Sequence, residues 1–341
     1  MFRKILVPLD GSDLAEGVLP YASQLAKSLG IPLVLFSVGD PEEVRHVTSG
    51  KSPGRTKVFA SPGSSTQPYP ATAMPGAKGI SALRPEPRGP YASQMFEKVE
   101  AEVRLGLERV VQRLESEGVA AEASVAFGDP AEEIMRFAKA AGCDLIALST
   151  HGRSGIARGV LGSVTDKIVH ASDVPTLTIA PRDEAVASAG KISRLVVPLD
   201  GSELAELALP YAERLARSLD LDVILVRTVK SPVLYAPYSA GYPYYVESAI
   251  LDEQAESEVD SYLGDVSERL SANGLRVKTI RPWVPAAMRI TEAANDSPGS
   301  LVVMATHGRS GLTRWVLGSV TEAVVRTSGA PVMIVPSEDA A

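Results

Sequence analysis

Two residue patterns in the chain have types and spacing that suit a sugar–phosphate ligand, and each pattern occurs twice. The first is an aspartate directly after a short apolar run: Asp10 follows residues 4–9, and Asp200 follows residues 194–199. A carboxylate at the carboxyl end of a strand can accept hydrogen bonds from ribose hydroxyls, whereas its alternative role is to cap the next helix. Because the residues just after Asp10 could already provide that cap, we expect both aspartates to face a ligand.

The second pattern suits phosphate groups. A small residue is followed by Thr-His-Gly, a nine-residue spacer, and Gly-Ser at the start of a helical segment. Glycine lets a phosphate approach the backbone closely, and a helix N-terminus offers N–H groups and a favourable dipole for anions. Gly-Ser alone is a common helix cap, but the whole pattern beside a strand-end aspartate favours a phosphate site. Its residues are Ser149, Thr150, His151, Gly152, Gly162, Ser163 and Thr165, and then Ala305, Thr306, His307, Gly308, Gly318, Ser319 and Thr321.

The histidines and arginines near these motifs leave alternatives open. His151 and His307 could contact phosphate or act as acid or base, but without an evident Asp, Ser or Cys partner we interpret them as loop or interface residues. His46 and His170 show no ligand spacing with them, so we predict no dedicated metal site. The arginines of the spacers could clamp phosphates or simply be solvated; these are Arg153, Arg158, Arg309 and Arg314.

The chain is an internal duplication. Val7-Pro8-Leu9-Asp10-Gly11-Ser12 recurs 190 residues later, from Val197, whereas the phosphate-type pattern recurs 156 residues later, from Thr150 to Thr306. The difference between these offsets gives the first repeat about 34 extra residues between its two motifs. We predict two domains, residues 1–181 and 192–337, joined by a short linker at 182–191.

Apolar runs alternate with amphipathic segments within each repeat. This alternation is typical of a parallel sheet with helices on both faces, and near-continuous apolar strands are expected when both faces are covered. We therefore predict an α/β fold of two tandem, open, parallel five-stranded sheets with helices on both faces, of the Rossmann-like type. The predicted strands are 4–9, 32–38, 119–126, 145–149 and 175–180, then 194–199, 222–228, 275–282, 300–305 and 331–335; the predicted helices of the first repeat are 13–29, 96–117, 130–140 and 163–171.

Composition excludes several classes of function. The 341 residues are 45% hydrophobic with a net charge of −7, which argues against broad nucleic-acid binding through a basic face. The single cysteine, Cys143, excludes an internal disulfide framework, and we expect an inert buried thiol. No apolar run has the length of a membrane span or a signal peptide, so we predict a soluble, cytoplasmic protein.

Two inserts interrupt the repeats. Residues 40–90 contain 9 Pro and 6 Gly, a composition typical of a flexible surface excursion, although a lid or partner-binding arm is the alternative. Residues 230–247 contain five of the ten tyrosines together with three prolines, which predicts an irregular segment. Tyrosine suits interfaces, so packing against the body or a dimer partner is our interpretation, with stacking on a ligand as the alternative.

With these motifs in place, the chain resembles a tandem universal stress protein over nearly its whole length outside the inserts. The family motif is Gly, two residues, Gly, nine residues, then Gly with Ser or Thr, and members with it bind ATP. The resemblance implies that one group of residues holds the adenosine end and another the phosphates. The first group is Pro8, Asp10 and Val38, with Pro198, Asp200 and Thr228; the second is Gly152, Gly162, Ser163 and Val164, with Gly308, Gly318, Ser319 and Val320.

The chain departs from the family pattern in both repeats. Ser149 and Ala305 replace the first glycine of the motif, which places a Cβ where the family's ATP binders have none. The second repeat departs again, because Gly128-Asp129-Pro130 becomes Val284-Pro285-Ala286. The sequence therefore supports nucleotide binding more strongly in the first repeat.

The leading functional hypothesis is a stress or signalling protein that binds an adenine nucleotide, ATP or ADP/AMP, with Mg²⁺ held through the phosphates. No residue stands out as a general base, so we expect slow ATP hydrolysis at most and no catalytic residue. The alternative is a nucleotide-free protein-interaction module of the same fold. An adenylating ligase is disfavoured, because Leu9-Asp10-Gly11-Ser12 is not the Ser-Gly-Gly-x-Asp-Ser loop that such enzymes need.

The predicted partners are an adenine nucleotide, a second copy of the chain in a homodimer, and an unidentified protein, with no nucleic acid and no membrane. We also expect the two domains to pack about a pseudo-twofold axis as an intramolecular pseudo-dimer. The last strands, 176–180 and 332–335, are the candidates for edge contact, since an exposed edge strand invites pairing.

Overall fold

The computed structural model describes residues 2–39, 90–150, 161–180, 191–229, 244–306 and 317–337. Its contacts divide the chain into two compact units, Met1–Gly155 and Ile156–Ala341, and each is described by itself. This boundary differs from the linker at 182–191, which follows from sequence similarity between the repeats. The domain ranges 1–181 and 192–337 stay a prediction.

Unit one is a layer of four parallel strands with helices packed on it. The order of the strands in the sheet is β3-β2-β1-β4. Residues 33–37 of β2 are all buried, so both faces of the sheet are covered. The elements are β1 (Ile5–Pro8), α1 (Asp13–Glu16), α2 (Leu19–Leu29), β2 (Leu33–Gly39), α3 (Pro90–Ser116), β3 (Ala121–Phe127), α4 (Pro130–Ala141) and β4 (Leu145–Ser149).

The segment 13–29 forms two helices rather than the single helix that its periodicity predicts. Pro20 lies in the first turn of α2, where its missing N–H cannot bond to the carbonyl four residues earlier. The chain therefore breaks at Gly17, whose N–H bonds back to the carbonyls of Asp13 and Ala15 and ends α1. This short first helix keeps the turn after β1 separate from the longer helix that packs on the sheet.

Unit two contains six strands, in the order β5-β10-β9-β6-β7-β8. All neighbouring strands in it are parallel except β5 and β10, which pair antiparallel with Met333 opposite Leu177. The elements are α5 (Ser163–Ala171), β5 (Thr176–Ile179), β6 (Arg194–Pro198), α6 (Glu203–Glu206), α7 (Leu209–Leu219), β7 (Asp222–Val226), α8 (Tyr244–Ala272), β8 (Val277–Ile280), α9 (Ala286–Asn295), β9 (Ser300–Ala305), α10 (Ser319–Thr327) and β10 (Val332–Val335).

The mostly parallel α/β fold is confirmed, with one pairing that differs from an all-parallel arrangement. Without a partner, the last strand of each repeat would leave backbone N–H and C=O groups unpaired along one edge. The antiparallel pairing of β5 with β10 satisfies these groups on both strands. A side-chain bond reinforces it, since the Thr178 hydroxyl donates to the Val332 carbonyl at 3.2 Å. The expected contact between the two last strands is thus confirmed, while the wider pseudo-twofold packing stays a prediction.

Several sequence predictions fall on residues outside the described ranges. These include nearly all of the 40–90 insert and residues 230–243 of the tyrosine-rich insert. The last four residues of the latter are helical, because α8 begins at Tyr244, so that part of the irregular-segment prediction is wrong. Across the described part of the chain, no helix combines the length and the apolar character needed to cross a membrane.

Candidate functional site

The turn after the first strand has the same geometry in both repeats. The Asp10 carboxylate accepts from the Ser12 N–H at 2.9 Å and from the Ser12 hydroxyl at 2.6 Å. Asp200 accepts from the same two groups of Ser202 at 3.0 and 2.6 Å. Between them lies a glycine with φ of 80° or 85°, a left-handed conformation that favours glycine. The two half-buried aspartates are therefore presented identically at the carboxyl edge of each sheet.

Capping of the following helix falls to the serine rather than to the aspartate. The Ser12 hydroxyl accepts from the Ala15 N–H at 3.2 Å, and the Ser202 hydroxyl accepts from the Ala205 N–H at the same distance. The aspartate is thus not needed as the helix cap. This arrangement agrees with the interpretation of Asp10 and Asp200 as ligand-facing, which stays a prediction.

The second repeat brings its two motifs to one edge of the sheet. β6 pairs with β7 on one side and β9 on the other, so Asp200, Thr228 and Thr306 follow the carboxyl ends of neighbouring parallel strands. The Gly318 N–H donates to the Thr306 carbonyl at 2.9 Å, and the Thr321 hydroxyl donates to the Ala305 carbonyl at 3.0 Å. These two bonds dock the N-terminus of α10 against the end of β9.

Both helices of the phosphate-type motif begin at a glycine that provides no side-chain cap. Gly162 has φ −62° and ψ 148°, and Gly318 has φ −59° and ψ 139°, which any residue can adopt. Serine or aspartate at this position would stabilise the helix by only a few tenths of a kcal/mol relative to glycine, roughly 0.3 kcal/mol. The backbone angles therefore do not require glycine at either helix start.

The structure places the remaining predicted residues as follows. In unit one, Pro8, Asp10, Val38, Ser149 and Thr150 lie at the carboxyl ends of the neighbouring strands β2, β1 and β4; Ser149 and Thr150 are buried. In unit two, Pro198 ends β6, and Ser163 and Ser319 are exposed in the first turns of α5 and α10, where Val164 is half-buried, Val320 is exposed, and Thr165 and Thr321 are buried. His151, Gly152, His307, Gly308 and the four spacer arginines lie outside the described residues.

Sequence reasoning missed a charged cluster around a buried arginine beneath the Asp200 turn. Arg227, only 5% exposed, directs its guanidinium against Gly201, where an added Cβ would lie 3.0 Å from it. The guanidinium lies 4.6 Å from the centre of the Tyr262 ring and donates to the Glu258 carboxylate at 2.6 Å. The available signal was an arginine directly after the apolar run 223–226, within the predicted strand 222–228.

Tyr262 and Glu206 extend this cluster to α6. The Tyr262 hydroxyl donates to Glu206 at 2.8 Å, and Arg269 donates to the same carboxylate at 2.8 Å. Burial alone would raise the pKa of Glu206, but the hydrogen bonds from Arg269 and Tyr262 outweigh it and hold the pKa below its usual value. Burial, and then the bond to Glu206, raise the pKa of Tyr262, so its phenol stays protonated.

The first repeat has a different environment at the end of its second strand. An added Cβ on Gly39 would lie 2.7 Å from the ring of Phe127, which is buried, so only glycine fits beneath that ring. Asp129 caps α4 by accepting from the N–H groups of Ala131 and Glu132 at 3.0 and 3.1 Å. The corresponding helix of the second repeat, α9, begins at Pro285 without a side-chain cap.

Cys143 is buried, as expected of an inert thiol. Burial raises its pKa to about 11, so the reactive thiolate is scarce at neutral pH. In the described part of the chain, no group of three or more His, Cys, Asp or Glu side chains is arranged to hold a metal ion.

The parallel sheet, the strand-end aspartates and the glycine-started helices define a protein of the doubly wound α/β class with a candidate anion site at the carboxyl edge of its sheet. The model of the universal stress protein family matches residues 1–62, 78–180 and 191–336. The chain therefore belongs to the universal stress protein family.

Individual relatives match parts of the chain. Universal stress protein Rv2005c of Mycobacterium tuberculosis is 29% identical over 195 residues, which cover 56% of this chain and 61% of that protein. The chain thus spans about three-fifths of that relative's length. Universal stress protein YxiE of Bacillus subtilis is 31% identical over 179 residues, covering 52% of this chain and 99% of that protein.

A solved structure matches the fold over nearly the whole chain. The crystal structure of a universal stress protein from Archaeoglobus fulgidus superposes with a TM-score of 0.62 and covers 98% of each chain. Its sequence identity is 19%, so the likeness shows the fold alone.

Proposed function

We propose that this universal stress protein binds an adenine nucleotide, ATP in the first place, and acts in a stress response or in signalling through the bound state. The observation that carries the proposal is the glycine start of α5 and α10. Each glycine stands at a position whose backbone angles do not require glycine, and it provides no side-chain cap that would compete with an anion for the first-turn N–H groups.

The aspartate after the first strand supplies the complementary half of the proposed site. Asp10 and Asp200 end strands at the carboxyl edge, where ligands bind in open parallel sheets. We propose that Asp10 and the backbone near Pro8 and Val38 hold the adenosine end, and that the Gly162 helix start holds phosphates with Mg²⁺ bound mainly by those phosphates. Because no residue of the sequence stands out as a general base, we propose a binding function with slow ATP turnover at most.

The wider proposals follow the family. We propose a cytoplasmic protein whose two repeats, 1–181 and 192–337, form an intramolecular pseudo-dimer and whose chains form a homodimer. The pairing of β5 with β10 supports a role for the last strands in such assembly. Size measurement by light scattering, with and without Mg-ATP, tests the dimer independently of nucleotide affinity.

Calorimetric titration of nucleotide-stripped, full-length protein with Mg-ATP tests the binding function. We expect saturable heat, and at least tenfold weaker binding after Gly162→Val, because the added side chain crowds the first-turn N–H groups. Gly264→Val is the matched control: Gly264 lies within α8 with open space around its Cβ position, so affinity should stay unchanged. Absence of heat, together with absence of competition against a labelled nucleotide, would favour the interaction module instead.

A further inference from the structure

The two repeats differ, within the described residues, at the edge where the proposed function places adenosine. Their frames match: Arg113 donates to Glu16 at 2.7 Å in the first repeat, and Arg269 donates to Glu206 at 2.8 Å in the second. These pairs fix the correspondence of α3 with α8. Because these equivalent elements are arranged alike, residues of the two repeats can be compared position by position.

Two positions between the second strand and this long helix have changed together. By the offset of 190, Arg227 corresponds to Ser37, and by the offset of 156, Tyr262 corresponds to Gly106. Ser37 and Gly106 are both buried, and α3 packs directly against β2. In the second repeat, a guanidinium and a phenol ring fill the same layer and reach the turn after Asp200. The second repeat thus has a large cationic pair where the first repeat has a small neutral one.

We propose that adenosine recognition is confined to the first repeat, because Arg227 and Tyr262 have rebuilt the corresponding edge of the second. The proposal rests on the nucleotide-binding function above and assigns it to one site per chain. The guanidinium touches the Asp200 turn, so the turn cannot move towards the helix layer to admit a ring. Moving Arg227 instead would separate it from the Tyr262 face and from Glu258, and a buried charge without its partners is unfavourable.

The neighbouring strand end supports the same assignment. In the first repeat, glycine at position 39 and the Gly128 N–H, which donates to the Gly39 carbonyl at 3.2 Å, shape the ends of β2 and β3. The second repeat has Val229 at the first of these positions and Val284-Pro285 in place of Gly128-Asp129. Trp283, at the position of the buried Phe127, is 39% exposed. The adenosine edge has therefore changed on two strands, whereas the Gly318 helix start matches that of the first repeat.

Stoichiometry on the full chain tests the proposal. Mg-ATP titration of the stripped wild-type protein should give one site, and any second site should be at least tenfold weaker. The variant Arg227→Ser with Tyr262→Gly installs the first-repeat residues and should give two sites. Arg217→Ser is the matched control, since it removes an arginine of the same repeat that pairs with Glu213 at the surface, and it should stay at one site.

Location provides a second readout. Photolabelling with Mg-8-azido-ATP followed by peptide mapping should mark peptides of the first repeat in the wild type and of both repeats in the double variant. Circular dichroism confirms that each variant is folded. Two wild-type sites, a wild-type label confined to the second repeat, or a folded double variant that keeps one site would each overturn the proposal. No binding in any variant would instead overturn the nucleotide-binding function on which it rests.

Discussion

The first repeat has the buried residues Ser37 and Gly106 at the two positions where the second repeat has Arg227 and Tyr262, and Arg227 lies against the turn after Asp200. The turns themselves superpose in their hydrogen bonds, with Asp-to-Ser distances that agree within 0.1 Å between the repeats. The backbone frame is thus set by short-range chemistry that both repeats share. The side chains under it could change, provided that they changed as a pair.

The paired change teaches how a duplicated site can diverge without loss of the fold. A guanidinium opposite Gly106 would lack the aromatic face that braces Arg227, and a tyrosine opposite Ser37 would lack the cation on its ring. Cation–π contacts of partly buried groups contribute about 1 kcal/mol, which is enough to favour the matched pair over either mixed one. The second repeat therefore shows a consistent alternative packing rather than a damaged copy.

The largest effect separating the two repeats is expected at Gly39. Gly39→Ala should destabilise the protein by about 2 kcal/mol, because the added methyl would overlap the buried Phe127 ring. Urea unfolding followed by circular dichroism measures this loss. The urea midpoint followed by tryptophan fluorescence should shift less than the midpoint followed by circular dichroism, because both tryptophans, Trp283 and Trp315, lie in the second repeat.

A glycine elsewhere in the chain provides the control for this prediction. Gly264→Ala, in the middle of α8 with nothing near its Cβ position, should raise the free energy of unfolding slightly, because alanine favours the helix. If Gly39→Ala were as well tolerated as Gly264→Ala, the close packing of Phe127 on β2 would not be a distinguishing feature of the first repeat.

A smaller effect is expected at the helix after the third strand. Asp129→Ala should cost about 1 kcal/mol, because two first-turn N–H groups of α4 lose their acceptor. The reciprocal change, Pro285→Asp, should stabilise the second repeat by a few tenths of a kcal/mol, since φ −52° and ψ 135° suit a capping residue. Thermal unfolding of both variants tests the two predictions together. Equal changes in stability with the same sign would contradict the proposed difference in capping between α4 and α9.

Sequence predicted the elements best where local chemistry marks both ends. The strands at 145–149 and 300–305 and the helix at 163–171 have the predicted bounds, because each is an apolar or amphipathic run between glycine and small polar residues. The break at Gly17 was missed although Pro20 signals it. Proline is also common just inside a helix start, and periodicity alone did not decide between a continued and a new helix.

The contents of the site were less predictable than its frame. The positions of Asp10, Asp200 and the two glycine-started helices were predicted from local motifs, and each lies at the strand or helix end that the motif indicated. The contact of Arg227 with Tyr262 joins residues 35 positions apart, one directly after a strand and one on a helix, and periodicity gives only the face of each element. Which side chains meet there depends on helix register and on the distance between the layers, neither of which a single sequence specifies.

The smallest effect concerns the pH dependence of the Glu206 pair. The folded-state pKa of Glu206 lies below its usual value of about 4.5, so its ionised form stabilises the fold above that pH and this stabilisation is lost as pH falls through the folded-state pKa. Tyr262→Phe removes one of the two hydrogen bonds that lower the pKa of Glu206. It should reduce the free energy of unfolding by about 0.5 kcal/mol at neutral pH, and this reduction should become smaller below pH 4.5.

In the first repeat, Glu16 pairs with Arg113, and Gly106 stands where the second repeat has Tyr262. Glu16→Gln should therefore reduce the free energy of unfolding less than Glu206→Gln does, as measured by urea unfolding from pH 3 to 7. Equal costs for the two glutamines at neutral pH would show that the phenol adds nothing to the second pair.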